Sequence, residues 1–482
     1  MTFSAIYAKI GFVCSHYTQY IKEDKIMNSK DNRSSFSGKI GFVLSAAGAS
    51  VGLGNIWRFP YLAAKYGGGI FLLIYIVLAL TFGYTMIVAE SALGRMTRKS
   101  PVSAFQSFGK KKWMSFGGWI NAVIPILIVP YYSVIGGWVI KYLLEYIRGD
   151  GAKLAEDGYF SAFISDGAST ELCFVLFCMF TLVIIFAGVR NGVERVSKLM
   201  MPVLVVLSVI IAVYSVTRPG ALAGVKYFLV PNPANFSWMT VVTAMGQMFY
   251  SLSIAMGILI TFGSYMKKET SIEGSTKNVE IFDTAIAIMA GLMIIPAGFA
   301  FSGGDPDTLQ AGPALMFITI PKVFANMGLG TFVGILFFLL VLFAAVTSSI
   351  ALTESAVSTF EDELGWNRRK STVLVGVIMI ALGSLSSLGY GPLANIRIIG
   401  MQFLDFFDFL TNSVMMPVAA LMTSLLVSRV IGIDRMEEEI LHGEGTFRRK
   451  KIFVLMIKYL CPVFTMIILA SSVANAFGWI SM

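Results

Sequence analysis

The feature that most limits how this chain can fold is a series of long apolar stretches. A helix that crosses the hydrocarbon core of a bilayer needs about 20 mostly apolar residues. Eleven stretches of this kind can be read along the chain, at positions 40–61, 68–93, 117–146, 172–187, 198–216, 239–265, 279–301, 330–360, 371–388, 403–430 and 453–477. Hydrophobic residues make up 56% of the 482 and charged residues 13%, unlike a soluble protein. We therefore predict an all-α polytopic membrane protein with eleven transmembrane helices.

The first apolar stretch has a polar interruption. From Gly48 to Pro60 it reads G-A-S-V-G-L-G-N-I-W-R-F-P. Glycine costs about 1 kcal/mol relative to alanine inside a helix, and irregular backbone at membrane depth occurs only where protein or a water-filled cavity covers it. One interpretation is a broken helix whose free carbonyl and amide groups bind ions. The other is a small-residue helix-packing face, because Gly48 and Gly52 are four residues apart.

A second interruption lies in the sixth stretch, where positions 247–257 include Gln247, Ser251, Ser253 and Gly257. Corresponding breaks in two halves of a chain point to an inverted-repeat transporter with its substrate site near the membrane midplane. We therefore predict a five-plus-five inverted-repeat fold with helices 1 and 6 broken.

The eighth stretch contains three consecutive hydroxyl residues, Thr347, Ser348 and Ser349. Such hydroxyls usually bond back to the preceding helical turn, but they can also supply oxygen ligands to a small cation.

Basic residues set the expected orientation. The N-terminal arm and alternate loops after it hold 27 of the 37 lysines and arginines, which places the arm in the cytoplasm. Eleven crossings then put the C-terminus on the extracellular or periplasmic side of the plasma (inner) membrane. The predicted organisation is a cytoplasmic arm (1–36, with Met27 as an alternative start), a first half-repeat (37–216), an extracellular connection (217–237), a second half-repeat (238–432), a cytoplasmic loop (433–452) and a last helix (453–482). A further outside segment, 301–329, is either a re-entrant lid or a plain surface loop.

Other classes of protein are disfavoured. The net charge of +9 lies in short loops between apolar stretches, so nucleic acid is not an expected partner. The four cysteines and two histidines have no metal-ligand spacing and no disulfide pattern. The glycine-rich run lacks the strand–turn–helix context of a nucleotide-binding loop. We do not expect an enzyme.

Several motifs resemble one family. These are G-A-S-V-G-L-G-N-I-W-R-F-P-Y (48–61), G-G-G-I-F (67–71), Y-Y-S-V-I-G-G-W (131–138), the break in the sixth stretch, T-S-S-I-A (347–351) and F-E-D-E-L (360–364). Together, and in this order, they resemble the neurotransmitter:sodium symporter family from residue 33 to about 470, in its shorter bacterial branch of eleven-helix amino-acid transporters. The resemblance implies a sodium-coupled secondary active transporter that imports an amino acid by alternating access. An amino-acid-gated channel and a transport-deficient amino-acid sensor on the same fold remain alternatives.

The resemblance also implies two sodium sites. The Thr347 site would comprise the carbonyls of Gly48, Val51 and Ala344 with the hydroxyls of Thr347 and Ser348. The Asp283 site would comprise Ser50, Asn55, Ser251, Asp283 and the substrate's carboxylate. Oxygen ligands of modest charge suit a hard monovalent cation.

Asp283 stands where the family more often has asparagine. Chloride-dependent relatives bind the anion near the positions of Tyr75, Gln247 and Ser251, and a fixed carboxylate at Asp283 could replace it. We expect that chloride is not required. The alternatives are that Asp283 is protonated or that it caps the start of the seventh helix.

The substrate would lie between the two breaks. The resemblance places its carboxylate near the amides of Leu53 and Gly54 and near Tyr132. Its amino group would meet oxygens of Ala49, Tyr250, Ser251 and Ser348. The side-chain pocket would be formed by Ala49, Ile128, Tyr250, Ser253, Met256 and Leu352.

Two positions bear on the substrate class. Gly52 occupies the position of an aspartate in amine transporters, which favours a substrate that carries its own carboxylate. Met256 is flexible where the family often has phenylalanine, which favours a hydrophobic or aromatic amino acid. A methionine that only packs the core would carry no such meaning, and the sequence leaves the particular amino acid open. It also leaves open the sodium stoichiometry, the oligomeric state and proton counter-transport.

Two charge pairs are the expected gates. Arg58 would pair with Asp408 across the outward path, with Tyr250 as the lid beneath. Arg33 would pair with Asp362 on the inside, close to Phe36 and Tyr265. The alternative for Arg33 is an ordinary basic loop residue.

Overall fold

The computed structural model describes residues 34–109, 111–302 and 312–479. Phe36–Met482 form one compact unit. In the described ranges the regular structure is helical, with a single isolated bridge between Ile398 and Met401. This agrees with the all-α class predicted from the apolar stretches.

The helices are numbered in chain order. They are α1 (Lys39–Ser50), α2 (Gly54–Lys65), α3 (Gly69–Thr97), α4 (Pro101–Gln106), α5 (Lys112–Arg148), α6 (Tyr159–Ser165), α7 (Gly167–Phe186), α8 (Val189–Val216), α9 (Ala221–Leu229), α10 (Trp238–Ser251), α11 (Ile258–Ser264), α12 (Ile272–Ser302), α13 (Leu315–Ala325), α14 (Gly330–Leu364), α15 (Arg368–Leu388), α16 (Phe403–Ile431), α17 (Ile433–Leu441) and α18 (Lys450–Ala476). Short 3₁₀ turns lie at Lys153–Ala155 and Pro233–Asn235.

Nine of these helices, within the described ranges, are long and apolar enough to cross a membrane: α3, α5, α7, α8, α12, α14, α15, α16 and α18. The pair α1 and α2, bent by 54°, makes up to ten. Helices α10 and α11 lie in the sixth apolar stretch, and each alone is too short to span. The count of eleven crossings requires that α10 and α11 form one span, and it stays a prediction, as do the domain boundaries.

The first break separates α1 from α2. Helix α1 ends at Ser50, and Val51 has an extended backbone with ψ 90°. The chain resumes as a wide π turn over Gly54–Arg58 that continues into α2. The helix is therefore broken at this motif, as predicted, while ion binding by its free backbone groups stays a prediction. Gly48 also packs closely against another helix, because a Cβ built on it would lie 3.2 Å from Thr347 Cβ of α14.

The second break covers positions 252–257, between α10 and α11. Ser253, Ala255 and Gly257 have left-handed φ values of 52°, 59° and 68°. This conformation costs roughly 1–2 kcal/mol for a residue with a side chain. Two hydrogen bonds support it: Ser253 Oγ donates to Ala49 O at 2.9 Å, and Ala255 N donates to Glu90 Oε1 at 2.8 Å. The first of these bonds links the second break directly to α1.

Long helices enclose the two breaks. Helices α5 and α14 have 37 and 35 residues and pack against each other, and α5 stays continuous through Pro125 and Pro130. Helix α8 approaches α1 from another side, since Met201 Sδ would be 3.5 Å from a Cβ on Gly48. Non-helical backbone at this depth is thereby covered by protein, as the membrane requires.

The segment 301–329, which is predicted to face the outside, contains helix α13, while its positions 303–311 are not among the described residues. Leu315, Met316 and Phe317 are buried, and Tyr142 OH of α5 donates to Phe317 O at 2.8 Å. A helix buried in this way is more than a plain surface loop. Its role as a lid stays a prediction.

Candidate substrate and ion sites

A cavity of about 30 Å³ lies between the two breaks. All of the residues predicted to contact the substrate line it: Ala49, Ser50, Leu53, Gly54, Ile128, Tyr132, Tyr250, Ser251, Ser253, Met256, Ser348 and Leu352. Gly52, Asn55 and Ile258 complete the wall. The space holds about two or three water molecules, so an amino acid enters only if side chains move apart.

One end of the cavity carries hydrogen-bond donors. The Leu53 amide points at Tyr132 OH, 3.4 Å away. There is little space for a side chain at Gly52. A Cβ there would lie 2.7 Å from Ser348 Oγ and 3.2 Å from Tyr132 OH. An amide and a hydroxyl that lie this close together can both donate to a carboxylate.

Another part of the wall carries oxygen acceptors. The Ala49 carbonyl accepts from Ser348 Oγ at 3.1 Å and from Ser253 Oγ at 2.9 Å. This carbonyl belongs to the last turn of α1, where helix carbonyls lack partners in their own helix and the helix dipole is negative. Such a carbonyl suits an ammonium group.

The predicted Thr347 site joins α1 to α14. Ser348 Oγ lies 3.3 Å from Gly48 O. Thr347 Oγ1 bonds back to Phe343 O at 3.0 Å and to Ala344 O at 3.2 Å, as hydroxyls in helices usually do. All of the predicted ligand residues here are buried: Gly48, Val51, Ala344, Thr347 and Ser348. The oxygens that the structure brings together therefore come from both helices.

The predicted Asp283 site is a cluster of hydrogen-bonded polar groups. Asn55 Nδ2 and Ser251 Oγ donate to Asp283 Oδ1 at 2.8 and 2.9 Å, and Asn55 Nδ2 is 2.9 Å from Ser251 Oγ. Tyr75 OH donates to Asp283 Oδ2 at 2.8 Å. Ser50 is not part of this cluster, since its hydroxyl donates to Leu252 O at 3.4 Å. Three of the four protein ligands predicted here are therefore in direct contact.

Asp283 is fully buried. Among the described residues no lysine, arginine or histidine forms an ion pair with it. A buried carboxylate without a cation costs several kcal/mol, so this site holds either a bound cation or a protonated Asp283. Asp283 also lies about three turns inside α12, which excludes the alternative that it caps this helix.

Gln247, the other group predicted near a chloride position, is directed elsewhere. Its Nε2 donates to Gly54 O at 3.0 Å, and its Oε1 is buried without a hydrogen-bond partner among the described residues. Gln247 therefore supports the start of α2 and, among the described residues, makes no hydrogen bond with Asp283.

The two residues of the outer gate are apart. The Arg58 guanidinium lies over the Tyr250 ring, 5.3 Å from its centroid. Asp408 Oδ1 accepts from Asn412 Nδ2 at 2.6 Å and from Tyr131 OH at 3.2 Å. The predicted pair between Arg58 and Asp408 is thus not formed in this conformation, although Arg58 and the proposed lid, Tyr250, are in contact.

Aromatic rings pack together at the inner end, the end of the bundle predicted to face the cytoplasm. The ring of Phe36 meets those of Phe42, Phe262 and Tyr265 edge-on, with centroids 5.6 to 6.0 Å apart. Arg33 lies outside the described residues, so its pairing with Asp362 stays a prediction. Asp362 Oδ2 accepts from Ser100 N at 2.6 Å.

Sequence reasoning missed a buried ion pair at this inner end. Tyr265 OH donates to Glu354 Oε1 at 2.8 Å, and Arg368 Nη2 lies 2.5 Å from Glu354 Oε2. Arg368 also donates to Ile185 O at 2.9 Å. A glutamate within the eighth apolar stretch was the available signal, because intramembrane carboxylates are usually functional.

Sequence reasoning also missed Glu90, the fully buried carboxylate of α3 that accepts a hydrogen bond from Ala255 N in the second break. Glu90 stands in the apolar stretch 68–93, and the same rule could have singled it out. Its partner could not be found in this way, because the two residues are 165 positions apart.

Two facing helix breaks around a buried cavity, in a chain of membrane-spanning helices, define an inverted-repeat secondary transporter. The model of the sodium:neurotransmitter symporter family matches residues 33–151 and 161–478. The chain therefore belongs to this family, and it is a sodium-dependent transporter and not an enzyme.

Individual relatives agree. The sodium-dependent transporter YhdH of Bacillus subtilis (strain 168) is 33% identical over 413 residues, which is 85% of this chain and 91% of YhdH. A sodium-dependent transporter of Haemophilus influenzae is 31% identical over 455 residues, covering 91% of this chain and 98% of the relative. The crystal structure of MhsT in complex with L-phenylalanine matches with a TM-score of 0.82 and 34% identity, over 92% of this chain and 100% of MhsT.

Proposed function

We propose that the protein imports a hydrophobic or aromatic amino acid together with Na⁺ by alternating access. The observation that carries this proposal is the cavity between the breaks, which has donors at one end, acceptors in its wall and apolar side chains around the rest. The likeness to MhsT, which was solved with L-phenylalanine, supports the same substrate class.

The bound amino acid has one orientation that suits the polar groups. Its carboxylate lies against the amides of Leu53 and Gly54 and against Tyr132 OH. Its ammonium group lies against the Ala49 carbonyl and the Ser348 hydroxyl. The side chain then points at Met256 and Leu352, whose displacement enlarges the cavity. Methionine is unbranched and adapts its shape readily.

Two sodium ions are part of the proposal. One binds at the Thr347 site, and the other binds at the Asp283 site and contacts the substrate's carboxylate. Because Asp283 provides a buried negative charge next to Tyr75 and Ser251, transport does not require chloride. The bound sodium ion compensates this charge.

The proposed gates are Arg58 with Asp408 on one side and Arg33 with Asp362 on the other. Closing the first pair above Tyr250 would occlude the cavity, and opening the second would release the substrate. The loop charges support an N-terminus in the cytoplasm and a C-terminus on the other side of the plasma (inner) membrane.

Uptake into proteoliposomes tests the function. With an inward sodium gradient, labelled phenylalanine should accumulate above its external concentration, and replacing Na⁺ by N-methylglucamine should abolish this. Large aliphatic and aromatic amino acids should compete, whereas charged ones should not. Strong competition by charged amino acids would contradict the substrate class, and flux without uphill accumulation would indicate a channel. Binding without uptake would indicate a sensor.

A further inference from the structure

Two basic side chains at the predicted cytoplasmic end of the bundle have no acidic partner. They are Arg429, close to the end of α16, and Lys458, about two turns into α18. Both are exposed, and within the described part of the chain neither forms an ion pair. By contrast, Lys141 and Lys198 each pair with a glutamate one turn away in the same helix. A charge placed in a membrane-spanning helix without a protein partner is a candidate for a functional site.

The two cations belong to neighbouring segments. Arg429 lies in a π turn over Leu426–Ile431 of α16, and Lys458 lies in another over Met456–Leu460 of α18. These two turns pack against each other, with residues such as Val427 fully buried and the two cations on the exposed surface. Like charges on adjacent segments repel each other unless an anion binds to both.

An apolar groove of about 540 Å³ lies between the same two helices, deeper in the predicted membrane. It is lined by Leu421 of α16 and by Pro462, Val463, Met466, Ile467 and Ala470 of α18. Pro462 follows Lys458 by one helical turn, so the groove begins about 6 Å from the lysine along the helix axis. A lysine in such a position lays its methylene groups along apolar surface and extends its ammonium group towards the membrane surface. The groove and the cations therefore form one continuous surface.

We propose that this surface binds an anionic phospholipid, with an acyl chain in the groove and the phosphate at Lys458 and Arg429. Basic groups beside a crevice between membrane helices suit such headgroups. A second copy of the chain fits less well, because a symmetric interface would bury these cations without acids. A zwitterionic lipid would add a positive group beside them. The site is separate from the substrate cavity, and the inference does not depend on the proposed function.

Native mass spectrometry of the purified protein in detergent tests the charges. We expect dioleoylphosphatidylglycerol to bind the parent about tenfold more tightly than dioleoylphosphatidylcholine. Arg429→Gln/Lys458→Gln should bind both lipids equally, whereas Arg429→Lys/Lys458→Arg keeps both charges and should retain the preference. The matched control is Arg369→Gln/Lys370→Gln, which removes two exposed charges at the same end of α15 and should behave like the parent.

The groove is tested separately with Ala470→Phe, which fills part of it and leaves both cations in place. The affinity for dioleoylphosphatidylglycerol should fall about fivefold, because the acyl chain no longer fits. Melting temperatures provide a second measurement, since a ligand that binds the folded state stabilises it. Added dioleoylphosphatidylglycerol should raise the melting temperature of the parent and of Arg429→Lys/Lys458→Arg, but not that of Arg429→Gln/Lys458→Gln.

Several results would overturn the proposal. Equal affinity of the parent for the two lipids would do so, and so would an unchanged preference in Arg429→Gln/Lys458→Gln. A loss in Arg369→Gln/Lys370→Gln as large as in that variant would show that the lipid follows overall charge and not this site. A lipid-free dimer that Ala470→Phe dissociates would assign the groove to a second copy of the chain.

Discussion

The first break spans three residues between α1 and α2, whereas the second spans six between α10 and α11. Within the described backbone no residue of 51–53 has a left-handed φ, while Ser253 and Ala255 both do. The first break depends on small residues that permit close packing, such as Gly54, whose Cβ would meet the Tyr250 ring at 2.5 Å. The second depends on side chains from elsewhere, above all Glu90. Similar interruptions at membrane depth are thus stabilised in different ways.

The largest expected effect comes from Asp283→Asn, which acts on the cluster that joins the two breaks. Loss of the charge should lower sodium-driven uptake about tenfold or more in chloride-free gluconate medium, since the bound Na⁺ loses its buried counter-charge. Chloride should restore part of the activity. Asp405→Asn, a carboxylate on α16 that lies outside the cluster, is the matched control. Unchanged, chloride-insensitive uptake by Asp283→Asn would show that Asp283 does not replace the anion.

Glu90→Ala should have the second-largest effect, because it removes the acceptor that supports the second break. Leaving the buried Ala255 amide without a partner costs about 1–3 kcal/mol. We expect a loss of uptake of about tenfold and a lower melting temperature in detergent, while Glu90→Gln, which retains an acceptor oxygen, should keep most of both. Equal activity of the alanine and glutamine variants would remove Glu90 from the support of this break.

Gly54→Ala tests the first break. Its new methyl group would lie 2.5 Å from Tyr250 Cε1, and overpacking of this kind costs about 1–3 kcal/mol. We expect the KM for phenylalanine to rise about fivefold, because the Tyr250 ring borders the cavity. Gly246→Ala on α10 is the matched control, since no atom lies within 4 Å of its added Cβ. A normal KM for Gly54→Ala would mean that close packing is not what the first break requires.

The smallest effect should come from Ala255→Gly. Relief of the left-handed strain, about 1–2 kcal/mol, is offset in part by the larger entropy of the unfolded chain, about 0.4–1 kcal/mol. Uptake and melting temperature should therefore stay near those of the parent. The opposite change nearby, Gly257→Ala, introduces strain at φ 68° and a contact of 2.7 Å with Asn121 O, and should be harmful. A large loss in Ala255→Gly would show that the second break is not strained.

The sequence was sufficient to predict the two breaks, because glycines and polar groups within apolar stretches have few explanations at membrane depth. The residues around the cavity were predicted from the resemblance to the symporter family. The sequence could not predict which way individual groups point. Ser50 was expected to join Asp283, yet its hydroxyl bonds to Leu252 O, a choice set by how α1 meets the second break. The Arg95 guanidinium, buried against Glu439 at 2.6 Å, joins residues 344 positions apart. For both Ser50 and Arg95, the neighbouring residues along the chain do not indicate the partner.

Helix ends were also misjudged where charged residues extend an apolar stretch. Helix α8 begins at Val189, nine residues before the predicted 198, because Glu194 is not solvated. It accepts from Ser37 N at 2.9 Å and pairs with Lys198 at 2.5 Å. Glu194 thus binds the segment just before α1, a contact that hydropathy alone does not reveal.

Helix α18 differs from the rest in how little of it the protein covers. Only 33% of its most apolar 18-residue segment is buried, compared with 78% for the corresponding segment of α5. Tyr459 and Val463 project outward, with exposed fractions of 64% and 53%. Most of this helix is therefore free of contact with the rest of the chain, and we expect a fluorescent reporter attached at either residue to sense the bilayer.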